Sequence, residues 1–132
     1  MKILDVGQCG FDGPRLARLW REVLSAEVDS VDTGDDALAR LSSRAYNLVL
    51  VNRVLAADGS SGLDVIERLL TTGQKTPVML VSDLPDAQDL AVALGAVRGF
   101  GKAHLGDQAT LQLVSRVAGG DASTKGKSRS KR

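Results

Sequence analysis

Polar side chains with useful chemistry follow four short apolar runs of the sequence. Gly7, Gln8 and Cys9 come after Lys2 to Val6, Asn52 after Leu48 to Val51, Ser82 and Asp83 after Val78 to Val81, and Lys102 after the run ending at Phe100. Lys102 offers a cation, Ser82 a hydroxyl, and Asn52 a neutral carboxamide that donates and accepts hydrogen bonds but supplies no anionic nucleophile. Lys102 would donate to the Asn52 amide oxygen or to backbone carbonyls, and Ser82 would bond to local backbone. Gly7, Gly10 and Gly13, three residues apart, could turn backbone N–H groups towards a phosphate. The same spacing serves as a flexible turn, and it matches neither Gly-x-Gly-x-x-Gly nor the P-loop. Cys9 is the only cysteine, so no internal disulfide and no cysteine-based metal cluster can form. Asp83 reads as a cap for the helix that Pro85 opens.

These residues need a sheet to bring them together. Leu48 to Val51 is too short for a buried helix and half β-branched, as expected of a parallel strand covered on both faces. Asn52 is then the first polar side chain at its carboxyl end, the edge where open α/β sheets place ligands. Lys2 to Val6, interrupted by Asp5, predicts a first strand. Val28 to Val31, Thr76 to Val81 and Ala96 to Phe100 predict the second, fourth and fifth. Helical spacing of apolar residues follows each strand: Leu16, Leu19, Trp20, Val23 and Leu24 after Pro14; Ala37, Leu38 and Leu41 after a Thr33-to-Asp36 capping box; Leu63, Val65, Ile66, Leu69 and Leu70. Pro85 to Leu94, stopped by Gly95, and a helix capped by Asp107 with Leu111, Val114 and Val117 complete the set. Five strands alternating with five helices predict one doubly wound α/β domain with right-handed crossovers.

The domain is expected to span residues 1–118. Residues 121–132 hold five Lys/Arg against one Asp, leaving twelve basic and fifteen acidic residues before them, so a mildly acidic domain carries a basic end. Segment 119–132 has no apolar residue beyond Ala122 and is expected to be a disordered tail, able to touch a polyanion weakly through counterion release. No nucleic-acid module accompanies it, so sequence-specific DNA binding is not expected. No apolar run approaches a membrane span, and Asp5 comes too early for a signal peptide; the expected location is cytoplasmic, with no membrane contact.

The segments Tyr46-Asn-Leu-Val-Leu-Val-Asn52, Pro77-Val-Met-Leu-Val-Ser82 and Leu94-Gly-Ala-Val-Arg-Gly-Phe-Gly-Lys102, in this βα order, resemble a response-regulator receiver domain over about residues 1–118. The resemblance implies a flavodoxin-like strand order 2-1-3-4-5. It also implies a phosphoacceptor aspartate after the third strand, an acidic pair for magnesium after the first, a Ser or Thr after the fourth and a Lys after the fifth. By position, Ser82 and Lys102 are retained. The aspartate place is Asn52, and the acidic pair falls on Gly7 and Gln8. The aromatic switch place is Gly99, and Ala103 replaces the Pro that usually follows the Lys. The loop from Asn52 to Gly62 is longer than usual.

An aspartyl phosphate needs a carboxylate nucleophile, and magnesium wants carboxylate oxygens, so both requirements fail together. A stand-alone, non-enzymatic pseudo-receiver in phosphorelay-type signalling is therefore expected, without cofactor or metal. It would act by phosphorylation-independent contact with a protein partner, or with a second copy, through its fourth helix, fifth strand and fifth helix. The alternative is a small-molecule or phosphate-binding flavodoxin-like protein using the glycine-rich first loop. Asn52→Asp alone is expected to leave stability nearly unchanged. Magnesium binding should need Gly7→Asp and Gln8→Asp as well.

Overall fold

The computed structural model describes residues 1–119; the basic tail falls outside them, apart from Gly119. Its order is β1 (Lys2–Val6), α1 (Asp12–Leu24), β2 (Glu27–Val31), α2 (Gly34–Ser43), β3 (Leu48–Asn52), α3 (Gly62–Thr71), β4 (Val78–Val81), α4 (Pro85–Leu94), β5 (Val97–Phe100) and α5 (Gln108–Ala118). A single 3-10 turn over Lys102–His104, absent from the sequence expectation, joins β5 to α5. The five strands are all parallel and run β2-β1-β3-β4-β5 across the sheet, the expected order.

Alternation along the strands divides the core in two. Leu4, Val6, Val49, Val51 and Leu80 face α2, α3 and α4, where Ile66, Leu69 and Ala91 meet them. Ile3, Leu48, Leu50 and Met79 face α1 and α5, packing on Leu16, Trp20 and Val114. With so few aromatic residues, one edge-to-face contact between Trp20 and Phe100, ring centroids 5.7 Å apart, fills the space beneath these two helices. Asp5 shares the face of Ile3, so the interruption in the first strand is a buried carboxyl, only 1% exposed. Its lateral neighbours are Ser30 and Leu50.

Helix ends follow the sequence signals unevenly. Thr33 accepts the Asp36 N–H at 3.1 Å, as its capping box requires. Asp107 occupies the N-cap position of α5 without capping it, because its carboxylate pairs with His104 Nδ1 at 2.9 Å. Helix α1 begins two residues before Pro14, which brings Asp12 into its first turn.

Candidate functional site

Parallel strands that end in register put their following residues on one edge, and a cleft of about 330 Å³ opens there, lined by Asn52, Arg53, Ser82, Asp83 and Lys102 among others. The fold thus brings Asn52, Ser82 and Lys102 together, while the hydrogen bonds show what each is doing. Asn52 Nδ2 donates to Val54 O at 2.8 Å and to Gly7 O at 3.3 Å, tying the ends of β3 and β1 to the following loop. Ser82 Oγ accepts the Leu84 N–H at 3.1 Å, a local backbone bond as expected. Asp83 does not cap α4. Its carboxylate turns to the Ala103 N–H, at 3.3 Å for the nearer oxygen, and Leu84 is left as an uncapped N-cap residue.

Lys102 does not reach the Asn52 amide either. Its Nζ binds Asp12 Oδ2 at 2.8 Å, across 90 residues of sequence. That hydrogen bond is the main reason the Asp12 carboxyl is held below its ordinary value, with the Coulomb attraction of Lys102 adding to it. The sequence hid this partner because Asp12 reads as one more polar residue in a glycine-rich turn.

The positions after β1 are shaped by a residue that has no polar chemistry. Gly7 has φ +82°, in the left-handed region that favours glycine. Leu55, fully buried, lies directly over it, so a Cβ at position 7 would run into Leu55 Cγ. The longer loop after β3 makes this plug: Leu55 N–H donates to Ser60 O, Gly59 N–H returns to Leu55 O, and Ala56 N–H donates to Gly7 O. Gly7→Asp is therefore strained twice over, by backbone and by packing, and cannot simply restore an acidic group. Gln8 points elsewhere, its Nε2 donating to Asp5 Oδ1 at 3.1 Å. Two of the three glycine amides are also committed, Gly7 N–H to Val31 O and Gly13 N–H to Cys9 O, both at 2.9 Å. Cys9 Sγ accepts the Asp12 N–H at 3.3 Å.

Magnesium needs several hard oxygens with compensating charge. Around the strand-tip cleft the carboxylates of Asp12 and Asp83 are engaged by Lys102 and Ala103, and Asn52 presents donors to its neighbours. These residues do not fit the ion. Among the described residues no group of three or more His, Cys, Asp or Glu side chains could hold a metal.

Gln88 is a further residue that periodicity conceals, since it sits beside Ala87 on the inward face of α4. Only 5% exposed, it donates from Nε2 to Leu80 O at 2.9 Å and Ser82 O at 3.0 Å, and accepts the Gly99 N–H at 2.9 Å. One side chain thereby clamps α4 to β4 and β5. Gly99 itself has no room for a side chain, because a Cβ there would collide with Leu80 O.

No family model matches the sequence, and no curated protein matches it. Solved structures do match. The receiver domain of NtrX from Brucella abortus is 24% identical, with 88% of this chain and 96% of that one covered and a TM-score of 0.74. The chain has the receiver-domain fold. A two-component response regulator from Clostridium difficile agrees at 14% identity, 94% and 99% coverage and TM-score 0.74. So does the chemotaxis protein CheY4 of Vibrio cholerae, at 17% identity, 88% and 97% coverage and TM-score 0.71. Against a longer NtrX structure the match covers 89% of this chain and 27% of that one, so the chain spans about a quarter of that protein. At such identities the likeness is one of fold, and function has to be sought in the site.

Proposed function

We propose that this receiver fold is a signalling module that works by protein contact and independently of phosphorylation, its phosphoacceptor and acidic-pair positions being Asn52, Gly7 and Gln8. The observation that carries the reading is Leu55, which occupies the space over Gly7 where a carboxylate would have to stand. Asn52 adds to it, because its amide is spent on backbone carbonyls and offers no anionic oxygen. Ser82 and Lys102 are then retained for structure, one for a local turn and the other for the pair with Asp12. On this reading the protein is not an enzyme and holds no cofactor.

The partner surface is the face of α4, β5 and α5. Asp89, bonded to Arg98 of β5 at 2.8 Å, marks the flank of α4 next to that strand, and the exposed Val92 follows it one turn later. The Gln88 clamp supports a surface of one fixed shape. The rival phosphate-binding reading of the first loop finds the Gly7 and Gly13 amides already bonded. Affinity capture with the native chain and with Val92→Asp, each with and without acetyl phosphate, tests the proposal. A partner lost with Val92→Asp and indifferent to the phosphodonor is expected; a partner recovered only after phosphodonor treatment would contradict it.

A further inference from the structure

Among the described residues three buried side-chain polar atoms have no hydrogen-bond partner: Asp5 Oδ2, Gln8 Oε1 and Trp20 Nε1. Two of the three belong to side chains that are already joined, since Gln8 Nε2 donates to Asp5 Oδ1 at 3.1 Å. Carboxyl and carboxamide thus meet with one hydrogen bond made and one oxygen left over on each. While the carboxyl is ionised both leftover atoms are acceptors, and burial closes both to water. Turning the amide over would not help, because a carboxylate has no donor to offer Oε1. One proton serves both atoms: a neutral Asp5 carries an O–H, and Gln8 Oε1 is an unpaired acceptor on the side chain that already touches it.

The surroundings favour that proton. Ser30 of β2 and Leu50 of β3 flank Asp5, and α1 and α5 cover its face of the sheet with Leu16, Trp20 and Val114. Cys9 of the first loop, Arg21 of α1 and Asp32 after β2 line, with Asp5 and Gln8, a cleft of about 390 Å³ between α1 and β2. Arg21 donates to Val28 O at 3.4 Å, and Lys102, whose charge attracts Asp5, is held by Asp12. We propose that Asp5 and Gln8 form a neutral acid–amide latch, with Asp5 Oδ2–H donating to Gln8 Oε1 and Gln8 Nε2–H to Asp5 Oδ1, which fastens the first loop to β1 and opens when the proton leaves.

On opening, the proton passes to solvent and two oxygens without a donor are left together, so Gln8 swings out into the cleft it lines. Gly13 at the start of α1 packs on the Gln8 stem, and its neighbour Asp12 holds Lys102, so the change reaches the strand-tip edge. Burial outweighs the lowering influences of Gln8 and Lys102 and pushes the Asp5 carboxyl up to about 7, so the latch is closed below neutral pH and open above it. It uses neither Asn52 nor the α4–β5–α5 face and stands apart from the partner reading.

NMR of the native chain from about pH 5 to about pH 9 tests the latch, following the Asp5 carboxyl carbon, the Gln8 side-chain amide and hydrogen exchange of the amides of residues 8–13 relative to unfolded-peptide rates. The carboxyl and the Gln8 amide are expected to shift together, and the loop amides to lose at least about tenfold protection over the same interval. Asp5→Asn should keep the loop protected throughout, because the new amide donates to Gln8 Oε1 and still accepts from Nε2. An Asp5 carboxyl already ionised at about pH 5, a Gln8 amide that stays still while Asp5 titrates, or an equal loss of loop protection in Asp5→Asn would each overturn the proposal.

Discussion

Two clefts lie on either side of the first loop, and they keep opposite accounts of their hydrogen bonds. At the strand tips the donors of Asn52 and Lys102 and the acceptors of Ser82 and Asp83 all have protein partners. Between α1 and β2, Asp5 and Gln8 each keep a buried oxygen with none. The position where this fold brings polar residues together is chemically settled, whereas unspent capacity sits beside it. Gln8 embodies the difference, since its amide is turned to Asp5 and it is not among the residues lining the strand-tip cleft.

The comparison can be broken most forcefully at Gln88, which holds the strand-tip edge in shape. Gln88→Leu fills the volume but strands Leu80 O, Ser82 O and the Gly99 N–H, at ~1–3 kcal/mol for each buried group left unpaired. Urea unfolding should show a loss of at least ~3 kcal/mol. A change below ~1 kcal/mol would mean that the clamp is solvated in solution.

A smaller effect of opposite sign is expected at Asp5. Burial pushes its carboxyl up to about 7 from an ordinary 3.8, against the lowering influence of the Gln8 hydrogen bond and of Lys102. The folded chain therefore holds this proton more tightly than the unfolded chain. Its stabilisation is complete below pH 4, declines as pH rises through the folded value, and is gone above about pH 7. Asp5→Asn mimics the protonated form at every pH. It should flatten the stability profile between pH 4 and 7 and raise stability at pH 8 by ~2–4 kcal/mol, at about 1.4 kcal/mol per pK unit. Unchanged or lower stability of the variant at pH 8 would show that the ionised carboxyl already has a partner.

Asn52→Asp ranks next. The expectation of a neutral change fails on geometry, since a carboxylate would face the carbonyl oxygens of Gly7 and Val54, and Lys102 is engaged elsewhere. A loss of ~1–2 kcal/mol is expected by chemical denaturation. A gain would indicate that Lys102 leaves Asp12 for the new carboxylate. Lys102→Met should be the mildest, at ~0–1 kcal/mol, because both partners of the pair are partly exposed. Its clearest signature is the Asp12 carboxyl moving up towards its ordinary value in an NMR titration, and no movement would place Lys102 elsewhere.

The architecture was legible because its signals are local. Leu48 to Val51 and Val78 to Val81 are apolar runs that only a doubly covered strand accommodates, and the strand–helix alternation leaves few topologies. Asn52, Ser82 and Lys102 could be placed at one edge for the same reason. Their partners could not. The Lys102 contact with Asp12 spans most of the chain, and Gln88 interrupts no pattern between Ala87 and Ala91. Leu55 looks like an ordinary loop residue until the positive φ of Gly7 brings the two together. Sequence period reports which face a residue takes, and hydrogen-bond partners depend on tertiary geometry that period does not encode.

The central claim, that the strand-tip site cannot take a phosphoryl group, is tested most directly by intact-mass measurement after incubation with acetyl phosphate and magnesium, for the native chain and for Asn52→Asp. With Leu55 over Gly7 and the carboxylates of Asp12 and Asp83 engaged by Lys102 and the Ala103 N–H, neither protein should gain a phosphoryl mass, and Asn52→Asp should stay unmodified although it carries a carboxylate nucleophile. A stoichiometric, acid-labile phosphoryl adduct on the native chain would contradict the account.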